Sequence, residues 1–283
     1  MHPLKIKVIK IDEFICKQLQ TKYDMQIHSV FLNSVNLLMD ETLITIGSAI
    51  SMNKHHVLTE EVHFGENNIT SASIIKPCNS GFMIDDLFFS VSREAVVCCN
   101  PVKTTAILRN EHLIKAKKLL EWLGQQPNTS ILNYDKCDFI LNYQFIHLYN
   151  FIEKESFDTA LQIVGLGVGL TPLGDDFLLG YILAKESLGI ELAWLPQILT
   201  IAKKRTNMIS YQSYKDVLDG YYSEQFVDMV NEFYEEKTFN HAKLILNYGA
   251  TSGAGILTGF IFGLLPKGEV RNECLESIKK HLL

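Results

Sequence analysis

The sequence predicts an α+β chain: a β-rich N-terminal part, either an antiparallel sheet or a small barrel, followed by a mostly helical C-terminal part. Three observations carry this expectation. From His28 to Asn100, short apolar runs alternate with polar turn residues. After Lys103 the apolar spacing changes to the helical period. Across 283 residues the hydrophobic fraction is 47% and the charged fraction 20%, the balance of a folded chain with a sizeable core. Two domains follow from the change of period, residues 1–105 and 106–283.

In the first domain, strands are expected at Ser29–Leu32, Asn36–Met39 and Thr42–Ile46, the last two joined by a polar turn at Asp40-Glu41. His56–Thr59 and Ile69–Ile75 are further short runs. Phe82–Ile84 and Leu87–Val91 flank Asp85-Asp86, which reads as a hairpin turn before it reads as a metal site. In the second domain, Glu111–Leu123 carries an apolar stripe at helical spacing, and Gly124 and Pro127 end it. Phe139–Ile152 is apolar and aromatic, a buried helix or strand. Further helices are expected at 174–188, 195–209, 213–220, 223–235, 241–248, 252–264 and 270–283.

Composition narrows the function classes. Lys and Arg number 26 against 32 Asp and Glu, a net charge of −6, which argues against a nucleic-acid protein. No run reaches the roughly 18 apolar residues of a membrane span, and Met1–Lys7 does not lead into the apolar core of a signal peptide. The six cysteines form no CxxC pair and no disulfide framework, and Cys98-Cys99 sit in an apolar run as small buried hydrophobes. A cytoplasmic protein is expected.

One stretch stands above this background: Gly165-Leu166-Gly167-Val168-Gly169-Leu170-Thr171-Pro172-Leu173-Gly174-Asp175-Asp176-Phe177. Alternate glycines let main-chain N–H groups turn inward or a ligand approach closely. Thr171 is an N-cap candidate and Pro172 suits the first helical position. The helix that follows is apolar all round, so it must be buried, and a glycine loop feeding a helix start is a ready anion site. Asp175 and Asp176 favour the helix dipole. Two carboxylates ahead of an apolar helix also demand partners. Three roles stay open: holding Mg²⁺ against a phosphate, gripping a cation, or accepting from an amide of a substrate. The pattern is neither a Walker A loop nor GxGxxG.

A second loop, Tyr248-Gly249-Ala250-Thr251-Ser252-Gly253, echoes the first and also precedes an apolar helix. Thr251 and Ser252 are placed to cap it and to donate hydroxyls. Gly255, Gly259 and Gly263 recur every four residues and would permit close helix packing. Among the cations, Lys203-Lys204-Arg205 precedes Thr206 and Ser210. It is either a solvated helix end or a bidentate clamp through Arg205. His55, His56 and His63 give no metal-ligand spacing.

The run Gly167-x-Gly169-Leu170-Thr171-Pro172-x-Gly174-Asp175-Asp176-Phe177-Leu178-x-Gly180 resembles the signature of the AllH-type subunits of oxamate carbamoyltransferase. His28–Phe31 with Val35-Asn36-Leu37, the Leu43–Ile46 strand, Arg205-Thr206 with Ser210, and Gly249-x-Thr251-Ser252-Gly253 with Gly259 are similar to that family in the same order. The resemblance implies carbamoyl transfer between oxalurate and phosphate, yielding oxamate and carbamoyl phosphate in purine (allantoin) breakdown. It implies a hetero-oligomer with a synthetase-like subunit and another carbamoyltransferase subunit. On these terms Asp175, Asp176 and Thr171 are the catalytic candidates. Gly167, Gly169, Gly174, Arg205, Thr251, Ser252, Gly253 and Asn36 are the substrate-binding candidates. No cofactor is called for unless Mg²⁺ sits on the Asp pair. A module that binds a small anion without catalysis, and a structural subunit whose glycines serve packing, are the alternatives.

Overall fold

The structure is a computed structural model and describes residues 3–22, 24–101, 106–126, 139–235, 238–249 and 251–268. The chain divides into two compact units, Met1–Pro101 with Tyr221–Glu224, and Val102–Gly220 with Gln225–Leu283. The first is built on a sheet and the second is helical, so the α+β class stands.

In the sheet unit, β1 (Leu4–Asp12) is followed by a helix, α1 (Glu13–Thr21), then β2 (Gln26–Val30), β3 (Ser34–Met39), β4 (Thr42–Gly47) and β5 (His56–Thr59). The unit continues with β6 (Ile75–Cys78), β7 (Gly81–Ile84), β8 (Leu87–Ser90) and the short β9 (Val96–Val97). The strands order as β2-β3-β4-β5-β1-β8-β7-β6, with β9 also paired to β1. The sheet is mixed rather than antiparallel throughout, because β1 runs parallel to β8 and β9, and β4 runs parallel to β5. Its central strand, β1, and the helix behind it lie outside the expected elements. Yet β1 reads Leu-Lys-Ile-Lys-Val-Ile-Lys-Ile-Asp, and burial alternates through Ile6 and Val8 before a register shift brings Ile11 inward. Asp12 caps α1 by accepting from the Phe14 N–H at 2.9 Å. Ile15 and Leu19 of α1 are buried among the sheet residues Leu37, Ile44, Phe82 and Phe89 in one core.

Two local expectations need correction here. Ile69–Ile75 is not a strand: Thr70 and Ser73 bond to nearby backbone amides, an alternative to the ladder that their hydroxyls supply. The pairing resumes only at Ile75. Cys98 is exposed, not a buried hydrophobe; Cys16, Cys78, Cys98 and Cys99 are all free thiols. The Asp85-Asp86 turn is as expected, with Asp85 at φ 47° between β7 and β8.

The helical unit comprises α2 (Asn110–Gly124), α3 (Phe139–Lys154), α4 (Phe157–Ile163), α5 (Leu173–Ser187), α6 (Leu195–Arg205), α7 (Met208–Leu218), α8 (Glu224–Glu235), α9 (Asn240–Leu246) and α10 (Ser252–Leu264). The expected helix 195–209 breaks at Thr206, because Asn207 caps a new helix through the Ile209 and Ser210 amides at 3.0 and 3.1 Å. The expected helix at 270–283 lies outside the described residues, as do Cys137 and Cys274. Among the described residues, no helix is long and apolar enough to cross a membrane.

The core of this unit is the pair α5 and α10. Every residue of α10 is buried, and every residue of α5 except Leu179 and Glu186. They approach closely enough that a Cβ on Gly180 would run into the Ile256 carbonyl oxygen, and one on Gly259 into that of Phe177. The four-residue glycine spacing of α10 is therefore the packing face the sequence offered. Phe151 of α3 crosses Tyr181 edge-on with ring centroids 4.9 Å apart, and Phe233 of α8 meets Phe260 at 5.4 Å. This packing places the first turns of α5 and α10 side by side.

Candidate functional site

Helix α4 ends at Ile163 with Val164 as its C-cap, and Gly165 follows at φ 71°. Only a glycine fits there, since a Cβ would strike the Arg205 carbonyl oxygen. The chain then crosses Gly167 and Gly169, both at positive φ, and enters α5 with Pro172 as N-cap. Thr171 is thus not the cap. Its hydroxyl instead reaches across to Ser252 at the start of α10, with Thr171 Oγ1 and Ser252 Oγ 2.6 Å apart. The two glycine-bearing loops meet through this bond. Thr251 is the N-cap of α10 but makes no side-chain cap bond.

The two carboxylates behave differently. Asp175 is fully buried and saturated. Its Oδ1 accepts from the Gly165 N–H and from the Tyr214 hydroxyl, both at 2.8 Å. Its Oδ2 accepts from the Thr206 hydroxyl. Burial raises its pKa, and the Thr206, Gly165, Tyr214 and Ser210 donors pull it back. Asp175 therefore ties the glycine loop and the α6–α7 junction to the start of α5.

Asp176 is 2% exposed, and its Oδ2 is a buried oxygen with no hydrogen-bond partner among the described residues. Its neighbours are the hydroxyls of Ser252 and Thr171, and a Cβ on Gly255 would lie 3.0 Å from its own Cβ. Burial pushes its pKa up to about 8, with the adjacent Asp175 adding to the rise and the Ser252 and Thr171 hydroxyls opposing it. Near neutrality Asp176 is mostly a neutral acid that can give or take a proton.

A divalent cation bridging the two carboxylates would have to displace protein donors, because both oxygens of Asp175 are occupied. Among the described residues, no three His, Cys, Asp or Glu side chains stand together as a metal set.

The remaining candidates divide. The amides of Gly174 and Gly253 are bonded to the carbonyls of Leu166 and Tyr248, at 2.7 and 3.0 Å, so the cup of backbone N–H groups is smaller than the loop suggests. Gly167 and Gly169 shape an outward loop on which Val168 and Leu170 are exposed. Arg205 is exposed and donates from Nη1 to the Leu161 carbonyl at 2.6 Å, joining α6 to α4. The next residue, Thr206, is the one that reaches Asp175. Asn36 lies in the sheet unit, where its amide donates to Ser29 Oγ at 2.9 Å and accepts from Thr45 Oγ1 at 2.8 Å. Tyr214 was not among the candidates. A tyrosine two turns into an amphipathic helix carries no mark in the sequence; only the fold brings it under Asp175.

No curated protein and no solved structure matches the chain. The stretch from the end of α4 to the end of α10, which holds the glycine loop, both aspartates, Thr206, Tyr214 and Ser252, is similar to a known family. Residues 163–264 match the model of the family described as oxamate carbamoyltransferase subunit AllH.

Proposed function

We propose that the chain is a carbamoyltransferase subunit that acts on oxamate, oxalurate and carbamoyl phosphate in purine (allantoin) breakdown, and that Asp176 moves the proton of the transfer. The observation that supports this most is the unpartnered, buried Asp176 oxygen beside two hydroxyls at adjoining helix starts. The match over residues 163–264 supports the substrate class.

The chemistry follows from the protonation state. When the ureido carbonyl of oxalurate is attacked, the bond to the oxamate nitrogen breaks and that nitrogen needs a proton. The neutral Asp176 acid supplies it. In the opposite direction, ionised Asp176 takes the proton as the oxamate nitrogen attacks the carbamoyl carbon. A carboxyl titrating at about 8 serves both directions near neutrality. The Thr171 and Ser252 hydroxyls, with the positive ends of α5 and α10, suit the anionic oxygens of substrate and intermediate. Asp175 is a positioning residue that fixes the loop. The active form is a cytoplasmic hetero-oligomer with synthetase-like and other carbamoyltransferase subunits.

Calorimetric titration with oxamate and carbamoyl phosphate tests this, on the chain alone and assembled with its partner subunits. Asp176→Asn is expected to keep ligand binding and lose turnover in the assembled enzyme. Ligand binding by the lone chain, with no turnover from any assembly, would instead mark an anion-binding regulatory module. Normal binding and turnover in Asp176→Asn would leave the glycines and aspartates a structural role only.

A further inference from the structure

Ser252 stands where Asp176, Thr171 and the start of α10 meet. It is 7% exposed and is the first residue of its helix, at the positive end of the dipole. Its hydroxyl bonds to Thr171 Oγ1 at 2.6 Å and lies against the Asp176 carboxyl. Next to it is Gly249 at φ 64°, where a Cβ would come within 3.1 Å of Ser252 Oγ. With glycine at 249, no side chain of that residue covers the hydroxyl. A hydroxyl held against a buried carboxyl that still has an unpartnered oxygen is the arrangement of a nucleophile and its base. Thr171 is the poorer nucleophile of the two, because its β-branched carbon crowds the oxygen.

We propose that Ser252 takes the carbamoyl group covalently, so that the transfer runs as two half-reactions. This rests on the carbamoyltransferase reading of the same site. In the first half, the Ser252 oxygen attacks the carbonyl carbon of carbamoyl phosphate. The carbon–oxygen bond to phosphate breaks, and phosphate leaves with the electron pair. Asp176 accepts the serine proton and passes it to the leaving phosphate. In the second half, the amide nitrogen of oxamate attacks the carbonyl of the Ser252 carbamate ester. The bond to Ser252 breaks, and the nitrogen's proton returns through Asp176 to the serine oxygen. Nothing is oxidised or reduced, and the side chains end as they began.

The test uses the full chain assembled with its partner subunits. Labelled inorganic phosphate should exchange into carbamoyl phosphate with no oxamate present, since the first half-reaction reverses alone. The peptide holding Ser252 should gain the mass of one carbamoyl group after acid quenching. Ser252→Ala should cut the exchange by at least roughly a thousandfold, and Ser252→Cys should retain a carbamoylated peptide. Turnover with both substrates, but no exchange and no carbamoylated peptide, overturns the inference and leaves the carbamoyltransferase reading intact. No turnover from the assembly under any condition overturns both.

Discussion

Each unit buries a polar cluster, and the two are built on opposite terms. In the sheet unit, Asn36 pairs across the strands with Ser29 on β2 and Thr45 on β4, and both ends of its amide are engaged at 2.9 and 2.8 Å. In the helical unit, Asp176 is equally buried and keeps one oxygen unpaired. A buried polar atom without a partner costs about 1–3 kcal/mol. The first cluster is closed on itself and holds strands in register. The second leaves the Asp176 Oδ2 without a partner among the described residues. Burial alone therefore does not distinguish the two clusters; the satisfaction of their polar atoms does. Asp175 sharpens the point, because it sits one residue from Asp176 and is saturated.

The largest effect expected from this contrast is on turnover. Asp176→Asn should lower kcat of the assembled enzyme by about 10²–10⁴, the usual worth of a positioned acid or base, while the chain stays folded. Steady-state rates paired with a thermal melt check it. A melt that collapses while the remaining folded enzyme works normally would put Asp176 in the same class as Asn36.

The next effect is on packing. Gly259→Ala should cost about 3 kcal/mol or more, because the new methyl meets the Phe177 carbonyl between two backbones that have no slack. Gly169→Ala should cost only about 1–2 kcal/mol, since no atom of the described residues lies within 4 Å and only its φ of 104° is strained. Denaturant titration separates the two. Equal costs would mean that α5 and α10 have room to part.

How much of this was legible in the sequence depends on what kind of signal each feature leaves. The helix pair was readable, because two wholly apolar stretches with glycines must bury against a close neighbour. The loop and both aspartates were readable from residue type and spacing. The division of labour between Asp175 and Asp176 was not: it is decided by Thr206, Tyr214 and Gly165, donors from 10 to 39 residues away. The central strand β1 is written plainly in its lysine–isoleucine alternation. The parallel pairings of β1 could not be read, since strand order is a tertiary choice that local alternation does not encode.

A further effect concerns pH. Asp176 titrates at about 8 when folded, against an ordinary value of about 3.9 when unfolded. The folded state therefore holds a proton that the unfolded state releases. Its contribution is complete below the unfolded value and is lost as pH rises through the folded one. Between those limits the chain should lose up to about 1.4 kcal/mol per pH unit relative to Asp176→Asn, whose side chain does not titrate. The stability difference between the two should widen up to about pH 8 and then level off. A difference that stays flat from pH 5 to 9 would mean that Asp176 is ionised throughout, and would remove the neutral acid from the proposed transfer.

The smallest effect belongs to the closed cluster. Asn36→Ala removes an amide that bridges two strands and leaves the Ser29 and Thr45 hydroxyls to find new partners. Both hydroxyls are only half-buried, so water can reach them, and the cost should be about 1–2 kcal/mol. Asn36→Ala with Thr45→Val should cost less than the two changes added together, because the second removes a donor that the first had stranded. Calorimetric affinity for oxamate should be unchanged in the single variant. A loss of affinity without a loss of stability would move Asn36 from the sheet's own register into substrate binding, the role that family resemblance implies, and the contrast between a closed and an open cluster would fail at its closed end.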